Sequence, residues 1–130
     1  MIYYAEEGVL SVWQLDSAIC FAADNLDLPE NISIDIQYID GKSNLWGSCD
    51  QEELDNLEFV IEINKDLTTN DMIETLFHEL VHVKQIASKQ YNVDNKTWNN
   101  IVYNCNYNEL PWEIEAFYLQ EKLADEYFRK

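Results

Sequence analysis

The sequence predicts an α+β fold, a small antiparallel sheet packed against an N-terminal helix, a central helix and a C-terminal helix, and three observations predict it. Met72, Ile73, Leu76, Phe77, Leu80, Val81, Val83, Ile86 and Ala87 recur at three- and four-residue intervals, the period of a partly buried helix. Ile32 to Tyr38 alternates apolar and polar residues, as does Phe59, Ile61 and Ile63 within Glu58 to Asn64, the period of half-buried strands. Trp112, Ala116, Leu119, Leu123 and Tyr127 then form a second helical stripe suited to packing on the central helix.

Taken in order, residues from about Val9 to Leu26 read as the first helix. Val12, Leu15, Ile19, Ala22 (or Ala23) and Leu26 lie at helical spacing, Ser11 is the cap, and Pro29 ends the region. Cys20, inside this apolar stretch, reads as a core residue. Asp40-Gly41 is a turn signal after the first strand, and Leu45 to Cys49 reads as the return strand. Glu58 to Asn64 is the next strand and leads directly into the central helix. Thr68, Thr69 and Asn70 can cap that helix, and Asp71 suits the dipole of its first turn. No Gly or Pro interrupts residues 70 to 90. Asn92 to Asn108 has no clear period. Its asparagines suggest a loop, while Ile101, Val102 and Tyr103 suggest a short ordered element. Asn108 or Glu109, with Pro111 in the first turn, starts the C-terminal helix.

The 130 residues are read as a single domain, 1–130, long enough to bury a core. At 47% hydrophobic and 13% aromatic the chain is not of the disordered class. No apolar run approaches the roughly 18 residues of a membrane span, and the N-terminus has no signal-like segment, so a cytoplasmic location is the expectation. Cys20, Cys49 and Cys105 are odd in number, widely spaced and without a C-x-x-C, which argues against a disulfide framework. The net charge is −17, with seven acids and one lysine between Asp50 and Asp66. Such a surface repels nucleic acid and anionic membranes and attracts cations and basic polypeptides.

Both histidines of the chain lie in His78-Glu79-Leu80-Val81-His82. One helical turn separates them, so both imidazoles leave the same face, roughly 6 Å apart at the backbone, within reach of one cation. Glu79 is rotated about 100° from His78 and can lean over a water in an open coordination position without being a ligand. This is the H-E-x-x-H pattern of zinc-dependent hydrolases, and its setting is helical and apolar, where polar groups need partners. Catalytic zinc takes three protein ligands, and Glu113 is the candidate third, one turn before Ala116 on the later helix and close to its buried stripe. Glu115 is the fallback.

His78-Glu79-x-x-His82 followed by Glu113-x-x-Ala116 resembles the gluzincin group of zinc peptidases. Among these it is most similar to small single-domain forms, including phage-borne and ImmA/IrrE-like metallopeptidases. The resemblance covers roughly residues 45–125 and implies a zincin-like domain with one zinc per chain. It implies His78, His82 and Glu113 as metal ligands and Glu79 as the catalytic general base. The first motif is specific and the second moderately so. Many gluzincins have an Asp after the Ala, where it supports a ligand histidine. This chain has Phe117 there, so a backbone carbonyl, Glu115 or another acid must orient the imidazole.

The expected activity is peptide-bond hydrolysis of a peptide or protein, with basic chains the sharper substrate reading, inside a bacterial cell or a virus-infected one. Tyr103, Tyr107 and Tyr118 are the candidate oxyanion donors, and the Glu58–Asn64 strand is the expected edge for an extended substrate. Three alternatives stand beside it: a structural zinc with Cys49 or Cys105 as fourth ligand, a catalytically silent scaffold that binds a partner, and an acidic decoy of nucleic-acid-binding proteins.

Overall fold

The structure is a computed structural model, and it describes residues 1–6, 9–40, 45–53 and 56–129. Ten elements of α and β structure follow one another: β1 (Ile2–Ala5), α1 (Val12–Leu26), β2 (Ser33–Ile39), β3 (Gly47–Gln51), β4 (Glu58–Asn64), α2 (Thr69–Ala87), β5 (Tyr91–Asn92), β6 (Thr97–Trp98), β7 (Ile101–Val102) and α3 (Pro111–Phe128). A 3-10 turn, Tyr107–Glu109, precedes α3. The class is α+β, as the sequence predicts.

The main sheet corrects one expectation. It is mixed, in the order β1-β2-β4-β3, rather than antiparallel throughout. β1 pairs in parallel with β2 and β2 with β4, while β3 runs antiparallel to β4. The cause is the N-terminal strand, whose four residues and exposed Ile2 and Tyr4 carry little pattern. With β1 in place, α1 becomes a crossover between parallel neighbours, and such connections need a helix-length segment. β2 therefore has β1 on one side and β4 on the other, so β3 cannot be its return strand and pairs outside β4 instead. Of the expected Asp40-Gly41 turn, Gly41 lies outside the described residues.

The helices begin where the sequence indicates. Ser11 caps α1 in a full capping box, its hydroxyl accepting from the Gln14 amide while Gln14 Oε1 accepts from the Ser11 amide. Thr68 caps α2 through Asp71 N–H at 3.2 Å, and Pro111 opens α3 at a position where its missing N–H costs nothing. Leu15, Ala18, Ile19, Ala22 and Leu26 of α1 share one core with Ile34 and Ile36, with Phe59, Ile61 and Ile63, and with the apolar residues of α2. Cys20 is exposed, not in the core, because it lies on the outward face of α1. All three cysteines are free thiols.

α3 packs on α2 through Ala116, which is fully buried, flanked by Trp112 and Leu123. The connection between these two helices is more ordered than its composition suggests. β5, β6 and β7 form a small antiparallel sheet, and Asn99 and Asn100, at φ 51° and 67°, are the two central residues between β6 and β7. Two consecutive left-handed residues are what a type I′ turn needs, and asparagine adopts that conformation more readily than other residues with a side chain. Among the described residues, no helix is long and apolar enough to cross a membrane.

β3 approaches α2 closely at Gly47. A Cβ there would lie 2.6 Å from Thr75 Cγ2 and 2.8 Å from the Glu62 carbonyl oxygen. Gly47→Ala is expected to cost about 1–3 kcal/mol in urea unfolding, as overpacking does. Adding Thr75→Ser should restore only part of that loss, since the contact with the Glu62 backbone remains.

Candidate metal centre

The site begins with the helical spacing of α2. His78 and His82, one turn apart, stand with ring centroids 4.9 Å apart and both are buried. α3 brings Glu113 across to them from its first turn, 35 residues along the chain from His78. Glu113 Oε1 lies 3.1 Å from His78 Nε2 and Oε2 lies 3.3 Å from His82 Nε2. One ligand atom from each residue falls within 4.8 Å of the others. Tetrahedral zinc with ligands at about 2.0–2.1 Å has ligand–ligand edges of roughly 3.3 Å, so the spacing suits a single small cation. These three buried residues can hold a metal ion.

The donor set also has the right chemistry. His78 Nδ1 lies 2.7 Å from Gln120 Oε1, and His82 Nδ1 lies 2.8 Å from Gln85 Oε1. An amide oxygen only accepts, so each Nδ1 carries the hydrogen. In a neutral ring that leaves Nε2 as a bare lone pair, and both lone pairs face Glu113. These two glutamines stand where the sequence predicts a backbone carbonyl, Glu115 or another acid to orient the imidazole. Phe117, at the position where an acid was expected, packs its ring 4.6 Å from His78 instead.

Glu115, the fallback ligand, lies outside the group and accepts from Gln85 Nε2 at 3.2 Å. Neither Cys49 nor Cys105 joins the group. Glu79 is buried beside it, and its carboxylate makes no hydrogen bond to a described residue. Gly47 Cα faces it from β3, where an added Cβ would stand 3.4 Å from Glu79 Oε2. Of the three candidate tyrosines, Tyr107 is the one at the site, its hydroxyl donating to Glu113 Oε1 at 3.0 Å. Tyr103 meets the edge of Trp112, and Tyr118 is exposed.

Charge is strained here in the absence of a cation. Burial works against ionisation of Glu113, but hydrogen bonds from His78 and His82, the His82 charge and the Tyr107 hydroxyl bring it down to about 2. Burial pushes Glu79 above the usual carboxylate range, and the two histidines offset this only in part. Burial also opposes protonation of His82, yet its hydrogen bond and attraction to Glu113, with Glu79 adding, raise it above the ordinary value. Buried acids that favour a proton on His82 would favour a metal cation at the same place for the same reason.

A cleft of about 610 Å³ opens on the His78 side, between Trp46 and Gly47 of the β3 segment, Asp71 and Glu74 of α2, and Phe117 of α3. A second, of about 240 Å³, lies at the far end of β3 between Cys49–Gln51 and Tyr91. β3 is an edge strand running between the two. The Glu58–Asn64 strand, expected at the edge, is internal, with β2 on one side and β3 on the other. Asn64 nonetheless shapes the cleft. Its side chain donates to the Leu45 carbonyl at 3.1 Å and its backbone N–H to the Trp46 carbonyl at 2.8 Å, which holds Trp46 beside the site.

Compared with known protein families, curated proteins and solved structures, the chain matches none. The resemblance to gluzincins therefore rests on its two sequence motifs.

The titrations set a pH window for the metal-free protein. A raised His82 contributes stability that is full below 6.5 and is lost as pH rises through its folded value. A lowered Glu113 contributes above 4.5 and is lost as pH falls toward about 2. Glu79, raised, contributes below 4.5 and is lost as pH rises through its folded value, which draws the optimum toward the acid end of the window. Metal-free melting temperature is expected to peak between 4.5 and 6.5. A cation bound here would have to displace the His82 proton, so any stabilisation by added zinc should grow from about pH 5 to about pH 8 in a thermal scan.

Proposed function

We propose that the protein is a zinc-dependent peptidase of the gluzincin kind. The observation that carries this reading is the convergence of His78 Nε2, His82 Nε2 and the Glu113 carboxylate beside a buried Glu79 that ligates nothing. Two histidines and a glutamate with a position left open is the donor set of a catalytic, rather than a structural, zinc. When bound, zinc supplies an acidified water, from about 15.7 toward about 7, and a polarised scissile carbonyl.

The chain's own residues do the rest. Glu79 takes the proton as the nucleophile attacks and delivers it to the departing amine. Its burial serves that role, because a carboxylate held above its usual range takes up the proton more readily than an exposed one, and the acid so formed is the donor to the amine. Tyr107, with its hydroxyl already at Glu113, is the donor for the oxyanion. The substrate adds as a strand to the free edge of β3, which sets its scissile bond over Glu79 and its flanking side chains in the two clefts.

The substrate class follows from the larger cleft. Asp71 and Glu74 supply negative charge and Trp46 and Phe117 apolar surface, with no lysine or arginine among the described residues of the lining. A lysine or arginine fits both, its stem on the rings and its charge toward the acids. The chain's net charge of −17 attracts such polypeptides over longer distances.

Elemental mass spectrometry on protein purified without added metal is expected to find about one zinc per chain, lost or much reduced in Glu113→Gln. Glu79→Gln should keep the zinc and lower peptide cleavage by about 10²–10⁴-fold. No zinc and no uptake on reconstitution would end the peptidase reading. Full binding of a partner by Glu79→Gln without cleavage by either form would favour the silent scaffold. In a library of quenched peptides, those with lysine or arginine beside the cleaved bond should be preferred, and Asp71→Asn should reduce that preference.

A further inference from the structure

Two chains of hydrogen bonds run outward from the metal centre, and both have the same order. His82 Nδ1 donates to Gln85 Oε1 at 2.8 Å, and Gln85 Nε2 donates in turn to the Trp112 carbonyl at 3.0 Å and to Glu115 Oε1 at 3.2 Å. His78 Nδ1 donates to Gln120 Oε1 at 2.7 Å, and Gln120 Nε2 donates to Glu74 Oε1 at 3.1 Å. In each case the far partner of the glutamine is a carbonyl or carboxylate oxygen, which can only accept. The amide must therefore turn its NH₂ outward and its oxygen to the histidine. The other tautomer would set a bare Nδ1 lone pair against that oxygen.

We propose that Gln85 and Gln120 are positioning residues that lock both histidines in the Nδ1–H tautomer, each amide being oriented by an acid behind it, Glu115 and Glu74. The inference rests on the metal-centre reading but concerns a state of the rings that exists without metal. A lone pair on Nε2 is what a cation needs, and a ring free to tautomerise presents it only part of the time. A carboxylate in direct contact would select the same tautomer and bring a further charge next to the site. A glutamine relays the preference while keeping that charge one residue away. The two relays differ in setting. Gln85 is fully buried between α2 and the start of α3. Gln120 and Glu74 line the larger cleft, so the His78 relay forms part of the wall on which a substrate rests.

The test uses the full chain with ¹⁵N-labelled histidine. Two-bond ¹H–¹⁵N correlation spectra of the metal-free protein, at a pH where both rings are neutral, distinguish the tautomers. Wild type should show Nδ1–H for both histidines. Gln120→Leu should move His78 toward a mixture while His82 keeps its pattern, and zinc affinity by chelator competition should fall about 10–100-fold. The exchange Glu74→Gln with Gln120→Glu puts the acceptor back on His78 and the anchor behind it, and should restore the tautomer and most of the affinity. Should Gln120→Leu fold poorly, Glu74→Gln alone removes only the anchor and should give a smaller shift of the same kind. An unchanged His78 tautomer and affinity in these variants, or a folded exchange variant that restores neither, would overturn the relay. Wild-type protein that takes up no zinc would instead sink the metal-centre reading, and the tautomer result would still decide the relay.

Discussion

Everything at this site depends on three lone-pair-bearing groups, two imidazoles and a carboxylate, being forced together where water is scarce. Left alone, such a cluster is unfavourable, because each group loses hydration and gains too few donors. The fold meets that constraint from outside. The histidines are hydrogen-bonded on their far sides by glutamines, Glu113 accepts from Tyr107, and Ala116 is small enough to let the two helices close around the group. The inner face is left wanting a positive charge. A proton on His82 satisfies that want in part, and a divalent cation satisfies it better.

The interior part of this arrangement was legible in the sequence because one-turn spacing and apolar periodicity are local. His78, Glu79 and His82 share one helix, so their relation is set by helical geometry alone. The same holds for the stripe on α3 and for the caps at Ser11 and Thr68, where a side chain and an amide three residues away suffice. Glu113 required a further step, since its partner lies 35 residues earlier, and the short motif around Ala116 supplied that step. The glutamines carried no such signal. A Gln three residues after His82 looks like any helix former until its NH₂ is seen to meet two acceptors and its oxygen the His82 N–H.

Strand pairing was less legible for the opposite reason. Alternation identifies Ser33–Ile39 and Glu58–Asn64 as strands but says nothing of what lies beside them. The parallel order of β1, β2 and β4 depends on a four-residue N-terminal strand with two exposed side chains, and on α1 serving as the crossover. Moving β3 to the outside of β4 has a direct bearing on chemistry, since it places Gly47, rather than a bulkier residue of β4, next to Glu79. In the segment between the helices, the asparagines read as polarity when their use at positions 99 and 100 is conformational.

The 35-residue separation of His78 and Glu113 has a thermodynamic side as well. A cation held by both is a removable cross-link that closes a long stretch of chain. Unlike a covalent bridge it does not persist in the unfolded chain, and it would stabilise the fold by the free energy of binding the folded state. Because α3 contributes a single ligand, Glu113, from its first turn, its start is the part of the helix tied most directly to that closure. Scarcity of the metal would therefore be felt first as fraying of the C-terminal helix, exposing the apolar stripe from Trp112 to Tyr127 before the sheet loosens, and degradation could begin there. An ion held by His78, His82 and Glu113 would thus also govern how long the molecule itself lasts.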